Sequence, residues 1–395
     1  MIPSVWQEKT ISEILERVVN PVDVVSDQVY REIGIRSHGK GIFHKEPATG
    51  ESLGNKRVFH VEPECFVVNI VFAWEQAVAK TTVEEATMIA SHRFPMYRPK
   101  KGRCDVDFIL YFFKTPKGKY LLELASPGGA GRNKTLGQTE FSKLKLTVPP
   151  TKEQKKISQI LSIWDKSIET AEKLLIKSKA QKKSLLQKLL TGKKRLPGYK
   201  GKWEVQSLGS LFKERVETNR SDLPLLSITS DRGVIFQDES GRKNNSNDNK
   251  SKYRRICVDD IGYNTMRMWQ GRSCISDKEG IVSPAYTILE ATKEACPLYA
   301  SYLFKLPELV YVFYRHSQGL VSDTWNLKYN HFKKITWTFP PLKEQQAIAR
   351  VLKIADDEIE LLVSKIEYLK QEKKALMQQL LTGKVRVNVD NPEVA

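Results

Sequence analysis

The chain has 395 residues, which gives room for roughly two to four compact units with cores of their own. It carries 64 Lys and Arg against 46 Asp and Glu, and the formal charge of +18 favours a polyanionic partner such as nucleic acid, with a solvated lysine-rich surface as the alternative. The five cysteines have no C-x-x-C spacing, so we expect no zinc or redox centre but reduced thiols in a cytoplasmic protein. No stretch reaches the ~18 uncharged apolar residues that would span a bilayer, so we expect no membrane partner.

In chain order, residues 1–147 come first and contain short β-type runs such as CFVVNIVF and VDFILYFF, separated by stretches rich in Gly, Pro and Asn. Residues 198–338 show the same pattern of short runs, such as RRICVDDIGYN and PAYTILE, separated by polar stretches. The pattern predicts two mixed α/β domains with long surface loops. Polar, basic loops on a β scaffold are where sequence recognition usually lies.

Each of these regions is followed by a similar phrase: VPPTKEQKKISQIL begins at 148 and FPPLKEQQAIARVL at 339, 191 positions later. The match extends to LLQKLLTGK (185–193) and LMQQLLTGK (376–384). Between these ends, apolar residues recur at alternating steps of four and three. This spacing predicts a helix of about 40 residues and roughly 60 Å with one apolar seam. Pro-Pro marks the start of each helix and Thr-Gly its end.

We therefore predict an α+β fold in which two pseudo-repeated mixed α/β domains are each followed by a long helix. The helices occupy the spacers 148–197 and 339–384, ahead of a tail at 385–395. They are expected to pair as an antiparallel coiled coil, because a single-stripe helix of that length needs a partner. Lys182 and Lys373 interrupt the seam at matching places. They either extend their ammonium groups to solvent or form a polar layer that sets the register.

The motifs for catalysis are incomplete. VPPT and FPPL resemble the catalytic turn of amino-methyltransferases, but Val148 and Phe339 cannot accept the hydrogen bond that a target amine must donate. Asp105 and Asp107 could suggest a metal nuclease, yet the lysine that such a site needs is missing after Glu123. We expect a recognition or scaffold subunit that is not an enzyme. The alternatives are a methyltransferase or nuclease of unfamiliar motif, and a coiled-coil scaffold with incidental charge.

Two divergent domains, each followed by PP-x-K-E-Q-x2-I and a long helix ending in L-L-T-G-K, form a layout that resembles the specificity subunit of a type I restriction-modification enzyme. IGYNTMRMWQGRSCIS with GIVSPAYTIL also resembles one class of target-recognition domain in that family. The resemblance covers essentially the whole chain. It implies target-recognition domains at 1–147 and 198–338, each reading one half of a split site in double-stranded DNA. It also implies that the helices set the gap and dock modification subunits.

The resemblance further implies that catalysis lies on partner subunits. Two modification subunits, which are adenine-N6 DNA methyltransferases, would bring S-adenosylmethionine. Restriction subunits with translocase and endonuclease activity would use ATP and Mg, so this chain would hold no cofactor and no metal. A pseudo-twofold chain suits a partner present in two copies, because it offers two similar docking surfaces. The first domain reads NIVFAWEQA, without the Arg267 and Arg272 that flank Trp269, so the two half-sites should differ and the target should be asymmetric.

Basic and amide side chains of the polar loops are the expected DNA contacts, because Arg and Lys can bond guanine and Asn adenine, while most Lys near DNA neutralise phosphate. The predicted contacts are Arg36, His38, Lys40, Arg93, Arg98 and Arg132 in the first domain, and Lys243, Asn244, Lys250, Arg267 and Arg272 in the second. A solvated charge is the alternative for each of them. Trp74 and Trp269 are expected to pack against the protein and not to stack on bases.

The helix starts are the expected docking positions for the modification subunits. The predicted docking residues are Lys152, Glu153, Gln154, Lys343, Glu344 and Gln345. The alternative for them is helix capping and solvation.

Overall fold

The structure is a computed structural model, and it describes residues 3–128, 134–229, 232–241, 249–320 and 324–389. The chain divides into two compact units. The first unit joins Met1–Ala171 to Lys365–Ala395, and the second unit is the continuous stretch Glu172–Ser364. Each unit therefore combines one globular part with sections of both long helices.

The helices range from single turns to two helices of 39 residues. In chain order they are α1 (Ile11–Ile14), α2 (Gly50–Leu53), α3 (Val106–Phe113), α4 (Pro116–Leu124), α5 (Gln138–Lys143), α6 (Thr151–Leu189), α7 (Leu208–Leu211), α8 (Pro297–Leu303), α9 (Pro307–His316), α10 (Tyr329–Phe332) and α11 (Leu342–Leu380). Short 3₁₀ helices occupy Ala73–Glu75, Val83–Glu85, Asp238–Ser240 and Met268–Gln270.

The strands are short, and the named strand pairs are antiparallel. In the first unit they are β1 (Gln7–Thr10), β2 (Leu15–Val18), β3 (Val29–Tyr30), β4 (Ile33–Ile35), β5 (Ile42–His44), β6 (Ala48–Thr49), β7 (Val58–His60), β8 (Phe66–Val68), β9 (Val78–Lys80), β10 (Ile89–Ser91), β11 (Met96–Pro99) and β12 (Lys145–Val148). In the second unit they are β13 (Glu204–Ser207), β14 (Phe212–Glu214), β15 (Leu226–Ile228), β16 (Val234–Phe236), β17 (Arg254–Ile256), β18 (Ile261–Asn264), β19 (Ser273–Ile275), β20 (Gly280–Val282), β21 (Tyr286–Ala291) and β22 (Thr336–Phe339).

The first unit is built on a four-stranded sheet with the order β2-β11-β8-β9. An aromatic core packs between this sheet and α3, where the ring centres of Phe66 and Phe113 lie 5.3 Å apart. Helix α3 begins where it does because the Asp105 carboxylate accepts the Phe108 amide at 2.9 Å and caps the apolar run VDFILYFF. The ribbon β1–β12 then leads into α6.

The second unit repeats this plan. Its four-stranded sheet has the order β14-β21-β18-β19, and its ribbon β13–β22 leads into α11. The core again consists of aromatic rings: Tyr263 and Phe304 both pack against Phe332, with ring centres 5.5 and 5.7 Å away. The pseudo-repeat read from the sequence therefore corresponds to a repeated topology.

The long helices α6 and α11 lie inside the predicted spacers 148–197 and 339–384 and pack together within each unit. In the first unit Ile157 and Leu161 of α6 join the same core cluster as Leu376 and Leu380 of α11. In the second unit the cluster combines the end of α6 with the start of α11. The start of one helix thus meets the end of the other, and the predicted α+β fold with antiparallel paired helices is confirmed.

The two lysines that interrupt the seam form a polar layer with partners in the same unit. In the first unit Asp165 of α6 accepts bonds from Lys373 Nζ at 2.5 Å and from the Tyr111 hydroxyl at 2.7 Å. The second unit repeats the arrangement with Lys182, Tyr302 and Asp356, where the tyrosine bond is again 2.7 Å. We call these the Tyr-Asp-Lys clusters.

Candidate nucleic-acid interface

Four of the six predicted docking residues are buried and bonded within their own unit. Gln154, 1% exposed, accepts the Asp105 amide at 2.9 Å and donates to the Pro149 carbonyl at 2.8 Å. Gln345 does the same with the Cys296 amide at 2.9 Å and the Pro340 carbonyl at 3.0 Å. Both amides therefore tie the helix start to the globular part of the unit, as in the capping alternative.

The two glutamates of the same motif hold the chain that follows the opposite helix. Arg386 donates to Glu153 at 2.7 and 2.8 Å, and Arg195 donates to Glu344 through two bonds of 2.5 Å. Glu344 also accepts the Trp203 indole at 3.2 Å. In both bidentate arginine–carboxylate pairs the arginine compensates the charge of a buried glutamate, which would otherwise have no partner of opposite charge.

Only the lysines of the two motifs are exposed. Lys152 and Lys343 lie one residue before the buried glutamates and point to solvent. Burial corrects the sequence prediction that the exposed faces of Glu153, Gln154, Glu344 and Gln345 offer a docking surface. For Lys152 and Lys343 docking stays a prediction.

Three of the predicted DNA contacts lie together on one hairpin turn, residues 36–41, which joins β4 to β5. Arg36, His38 and Lys40 are all exposed there. The Arg36 guanidinium lies 4.8 Å from the centre of the Phe43 ring, so a cation–π interaction with the ring stabilises its charge. The turn therefore presents two cations and an imidazole close together.

The 36–41 turn is held in place by the 3₁₀ helix after β8. The His38 amide donates to the Glu75 carbonyl at 2.7 Å, and the Gly39 amide donates to the Gln76 carbonyl at 2.8 Å. The Glu75 carboxylate also accepts the Ser37 hydroxyl at 2.8 Å. Such bonds fix the direction in which the turn presents its side chains.

The remaining predicted contacts of the first unit lie on other elements. Arg93 is exposed in the connection between β10 and β11. Arg98 lies on β11, and its guanidinium pairs with Glu62 at 3.1 Å. Arg132 lies outside the described residues.

The Asn-x4-Trp segments of the two units fold alike. In the first unit the Asn69 side chain accepts the Val71 amide at 3.1 Å, and the Trp74 indole donates to the Val71 carbonyl at 3.2 Å. The second unit repeats both bonds at 3.0 Å, with Met266 in place of Val71. The indole donors are therefore engaged in holding a bend, in agreement with the predicted packing role.

The second unit has a pocket of about 510 Å³ beside the 3₁₀ helix Met268–Gln270. Arg267 and Arg272, two of the predicted DNA contacts, are both exposed and line it. Lys305, from the corner between α8 and α9, is a third cation at the same pocket. The described residues that line the pocket include no Asp or Glu.

Lys305 was missed at the sequence level, because it lies in the apolar run SYLFKLPELV and not in a polar loop. A signal for it exists: Lys114, at the matching place 191 residues earlier, lies in the similar run YFFKTP. Lys250 is half-buried with its ammonium 5.4 Å from the centre of the Tyr253 ring. Lys243 and Asn244 lie outside the described residues.

The groups that could have carried chemistry have structural partners. Asp105 caps α3, and Asp107 pairs with Lys80 at 2.9 Å. Burial raises the pKa of the Cys65 and Cys274 thiols to about 11, so both stay protonated at neutral pH. In the part of the chain that the structure describes, no group of three His, Cys, Asp or Glu could hold a metal ion.

None of the helices found in that part is both long and apolar enough to cross a bilayer.

Comparisons with known proteins match this architecture. Residues 64–178 match the family model of the type I restriction modification DNA specificity domain. Over 98% of its length the chain is 24% identical to the putative type I restriction enzyme MjaX specificity subunit of Methanocaldococcus jannaschii, of which the match covers 95%. Over nearly its whole length this chain is therefore similar to a type I restriction enzyme specificity subunit. A second relative from the same organism, the type I restriction enzyme MjaVIII specificity subunit, is 27% identical over 62% of this chain and 63% of its own length.

Solved structures share the fold of this chain. The HsdS subunit from Thermoanaerobacter tengcongensis superposes with a TM-score of 0.55 over 97% of this chain and 98% of its own length, at 13% identity. The S subunit of a type I restriction-modification system from M. genitalium gives a TM-score of 0.57 over 96% of both chains, also at 13% identity. At this identity the likeness concerns the fold.

Proposed function

We propose that this chain is the specificity subunit of a type I restriction-modification system and the non-catalytic reader of its complex. In this proposal each unit reads one half of a split, asymmetric sequence in double-stranded DNA. One observation carries the proposal. The contacts that build the two units recur at an offset of 191 residues, whereas the exposed segments that present cations differ. A shared frame with two different presenting surfaces suits the recognition of two different half-sites.

The two presenting surfaces differ in which segment carries the charge. In the first unit Arg36, His38 and Lys40 stand on the 36–41 turn. In the second unit Arg267 and Arg272 flank the 3₁₀ helix itself. We assign both groups to DNA contact, because exposed cations beside a stiff backbone element are suited to phosphate and base-edge contacts.

The long helices serve the assembly in this proposal. They set the gap between the two half-sites, and the exposed lysines of their starts, Lys152 and Lys343, dock two modification subunits. Those partners supply S-adenosylmethionine and methylate adenine. Restriction subunits add ATP-driven translocation and cleavage with Mg. The complex works in the cytoplasm, where its DNA substrate lies.

Genome-wide adenine methylation in the native host, with this gene present and deleted, tests the proposal. We expect deletion to remove methylation from one split, asymmetric motif and to leave other motifs unchanged. Plasmid expression of the gene should restore the motif. If deletion leaves every methylated motif in place while the modification subunits are expressed, the proposed role is wrong.

A second measurement separates the reader from an enzyme of unfamiliar motif. Isothermal titration of the purified chain with S-adenosylmethionine should give no heat of binding. The modification subunit alone serves as the positive control. Saturable binding by this chain, or metal-dependent cutting of DNA by it, would support an enzyme instead.

A further inference from the structure

The residue after the 3₁₀ helix has a left-handed backbone in both units, but its side chain differs. It is Gln76 in the first unit, with φ 59°, and Gly271 in the second, with φ 72°. The Gln76 side chain donates to the carbonyls of Phe113 at 2.8 Å and Thr115 at 3.2 Å, where α3 meets α4. At Gly271 an added Cβ would lie 3.3 Å from the Phe304 carbonyl oxygen, so the backbone itself lies against the matching corner.

The space beside this position is used differently in the two units. In the first unit the 36–41 turn lies there, bonded to Glu75 and Gln76. In the second unit the residue that matches Glu75 is Gln270, which has no carboxylate. The described residues at this place line the 510 Å³ pocket. Thr229, the residue directly after the hairpin strand β15, lines the pocket.

The charged residues at this place also differ between the two units. The pocket of the second unit brings Arg267, Arg272 and Lys305 together without a carboxylate among its described lining residues. The matching positions in the first unit are Phe72, Ala77 and Lys114, next to the carboxylate of Glu75. Lys114 is also partly withdrawn from water, and this burial, helped by the Lys373 charge, lowers its pKa. The second unit thus gathers three exposed cations around a pocket, whereas the matching positions of the first unit hold a single, partly buried cation.

We infer that the pocket of the second unit binds a backbone phosphate of the DNA, with Lys305 as a contact that supplements the two arginines. This inference rests on the proposed function and adds a site to it. The chemistry selects phosphate over a base edge. The edge of one guanine offers acceptors for one Arg or Lys, whereas three cations line this pocket. A phosphate group can accept bonds from several cations at once.

The proposed phosphate contact means that the two units bind the DNA backbone differently. The first unit holds its own turn at this place and presents cations from the turn. The second unit keeps the place for the DNA. Because a phosphate contact carries no sequence information, Lys305 fixes the position of the second unit on the duplex and does not choose its bases.

Salt dependence of DNA binding by the full chain tests the inference. The probe is a random-sequence 60-bp duplex, because phosphate contacts are independent of sequence. For Lys305→Ala we expect the slope of log affinity against log salt to fall by about 0.9, since one phosphate contact is lost. Lys305→Arg should keep the slope of the parent chain.

Lys334→Ala is the matched control, because Lys334 is an exposed cation of the same unit outside the pocket. Its slope should equal that of the parent. A Lys305→Ala slope equal to the parent's, or a slope that falls equally in the control, overturns the inference and leaves the proposed function standing. A parent chain that shows no salt-dependent binding to the duplex overturns both. Thermal unfolding of each variant confirms that the fold is kept.

Discussion

Lys373 Nζ lies 2.5 Å from Asp165 Oδ1, so α11 and α6 of the first unit are joined by a partly exposed ion pair where the apolar seam is interrupted. The same carboxylate accepts the Tyr111 hydroxyl from α3. Burial and the neighbouring Asp165 carboxylate raise the pKa of Tyr111, so the hydroxyl keeps its proton and remains a donor. One carboxylate thus fixes two helices and the globular part relative to one another within the unit.

Replacing this carboxylate should destabilise the first unit. For Asp165→Asn we expect the free energy of unfolding to fall by about 1–3 kcal/mol, because the Lys373 ammonium loses its counter-charge and the two donors are left with a single, uncharged amide oxygen. Hydrogen exchange of α3 under native conditions is the measurement. The control is Glu140→Gln in the same unit, since Glu140 forms a surface i,i+3 pair with Lys143, and it should change stability by less than about 0.5 kcal/mol. Equal effects of the two variants would contradict the role of the cluster.

The buried amide at the start of α11 should be more important than an exposed amide beside it. For Gln345→Ala we expect a loss of about 1–3 kcal/mol, because the Cys296 amide and the Pro340 carbonyl are left without their partner. Gln346→Ala removes an exposed amide from the same turn and should be close to neutral. Urea denaturation of the purified variants measures both. The interpretation fails if Gln346→Ala costs as much as Gln345→Ala.

Gly271 should tolerate no side chain. Gly271→Ala adds the strain of a left-handed backbone, about 1–2 kcal/mol, and a Cβ that lies 2.9 Å from Val310 Cγ2. Gly233→Ala is the control, because Gly233 also has a positive φ, 68°, but no atom lies within 4 Å of its added Cβ. We therefore expect a larger fall in melting temperature for Gly271→Ala than for Gly233→Ala. Equal falls would show that packing at the corner contributes nothing.

A change on the 36–41 turn should alter one half-site only. For Arg36→Ala we expect weaker discrimination at one or two base pairs of the half read by the first unit, by about 1–3 kcal/mol if Arg36 contacts a base edge. The half read by the second unit should keep its sequence. Sequencing of methylated adenines in cells that carry the variant measures both halves together. Lys117→Ala, an exposed cation on α4, is the control and should leave the motif unchanged. Relaxation of both halves would contradict separate reading.

The repeat at an offset of 191 residues made the fold predictable, because it gave the positions of the two long helices and the two domains from the sequence alone. The same offset carried more than the prediction used. Tyr111 and Tyr302, and also Asp165 and Asp356, recur at that distance and form the two Tyr-Asp-Lys clusters. Identical residues outside the obvious phrase would have been the signal for them.

The role of the KEQ motif could not be derived from periodicity. A helix start at the surface and one packed on a globular part have the same capping signals, and only the tertiary contacts decide that Glu153 and Glu344 are buried. The pocket of the second unit could not be predicted from the sequence either. Lys305 joins Arg267 and Arg272 only because α8 and α9 place their corner beside the 3₁₀ helix, across more than 30 residues of sequence.

The discontinuous make-up of the first unit has a consequence for synthesis on the ribosome. The second unit is one uninterrupted stretch, Glu172–Ser364, whereas the first also needs Lys365–Ala395. At about 5–20 residues per second, the partner helix of the first unit emerges roughly 10–40 s after residue 171. Over that interval the apolar stripe around Ile157 and Leu161 is without its native cover, so the nascent first unit is the part that would depend on a chaperone. The half that is translated first is thus completed last.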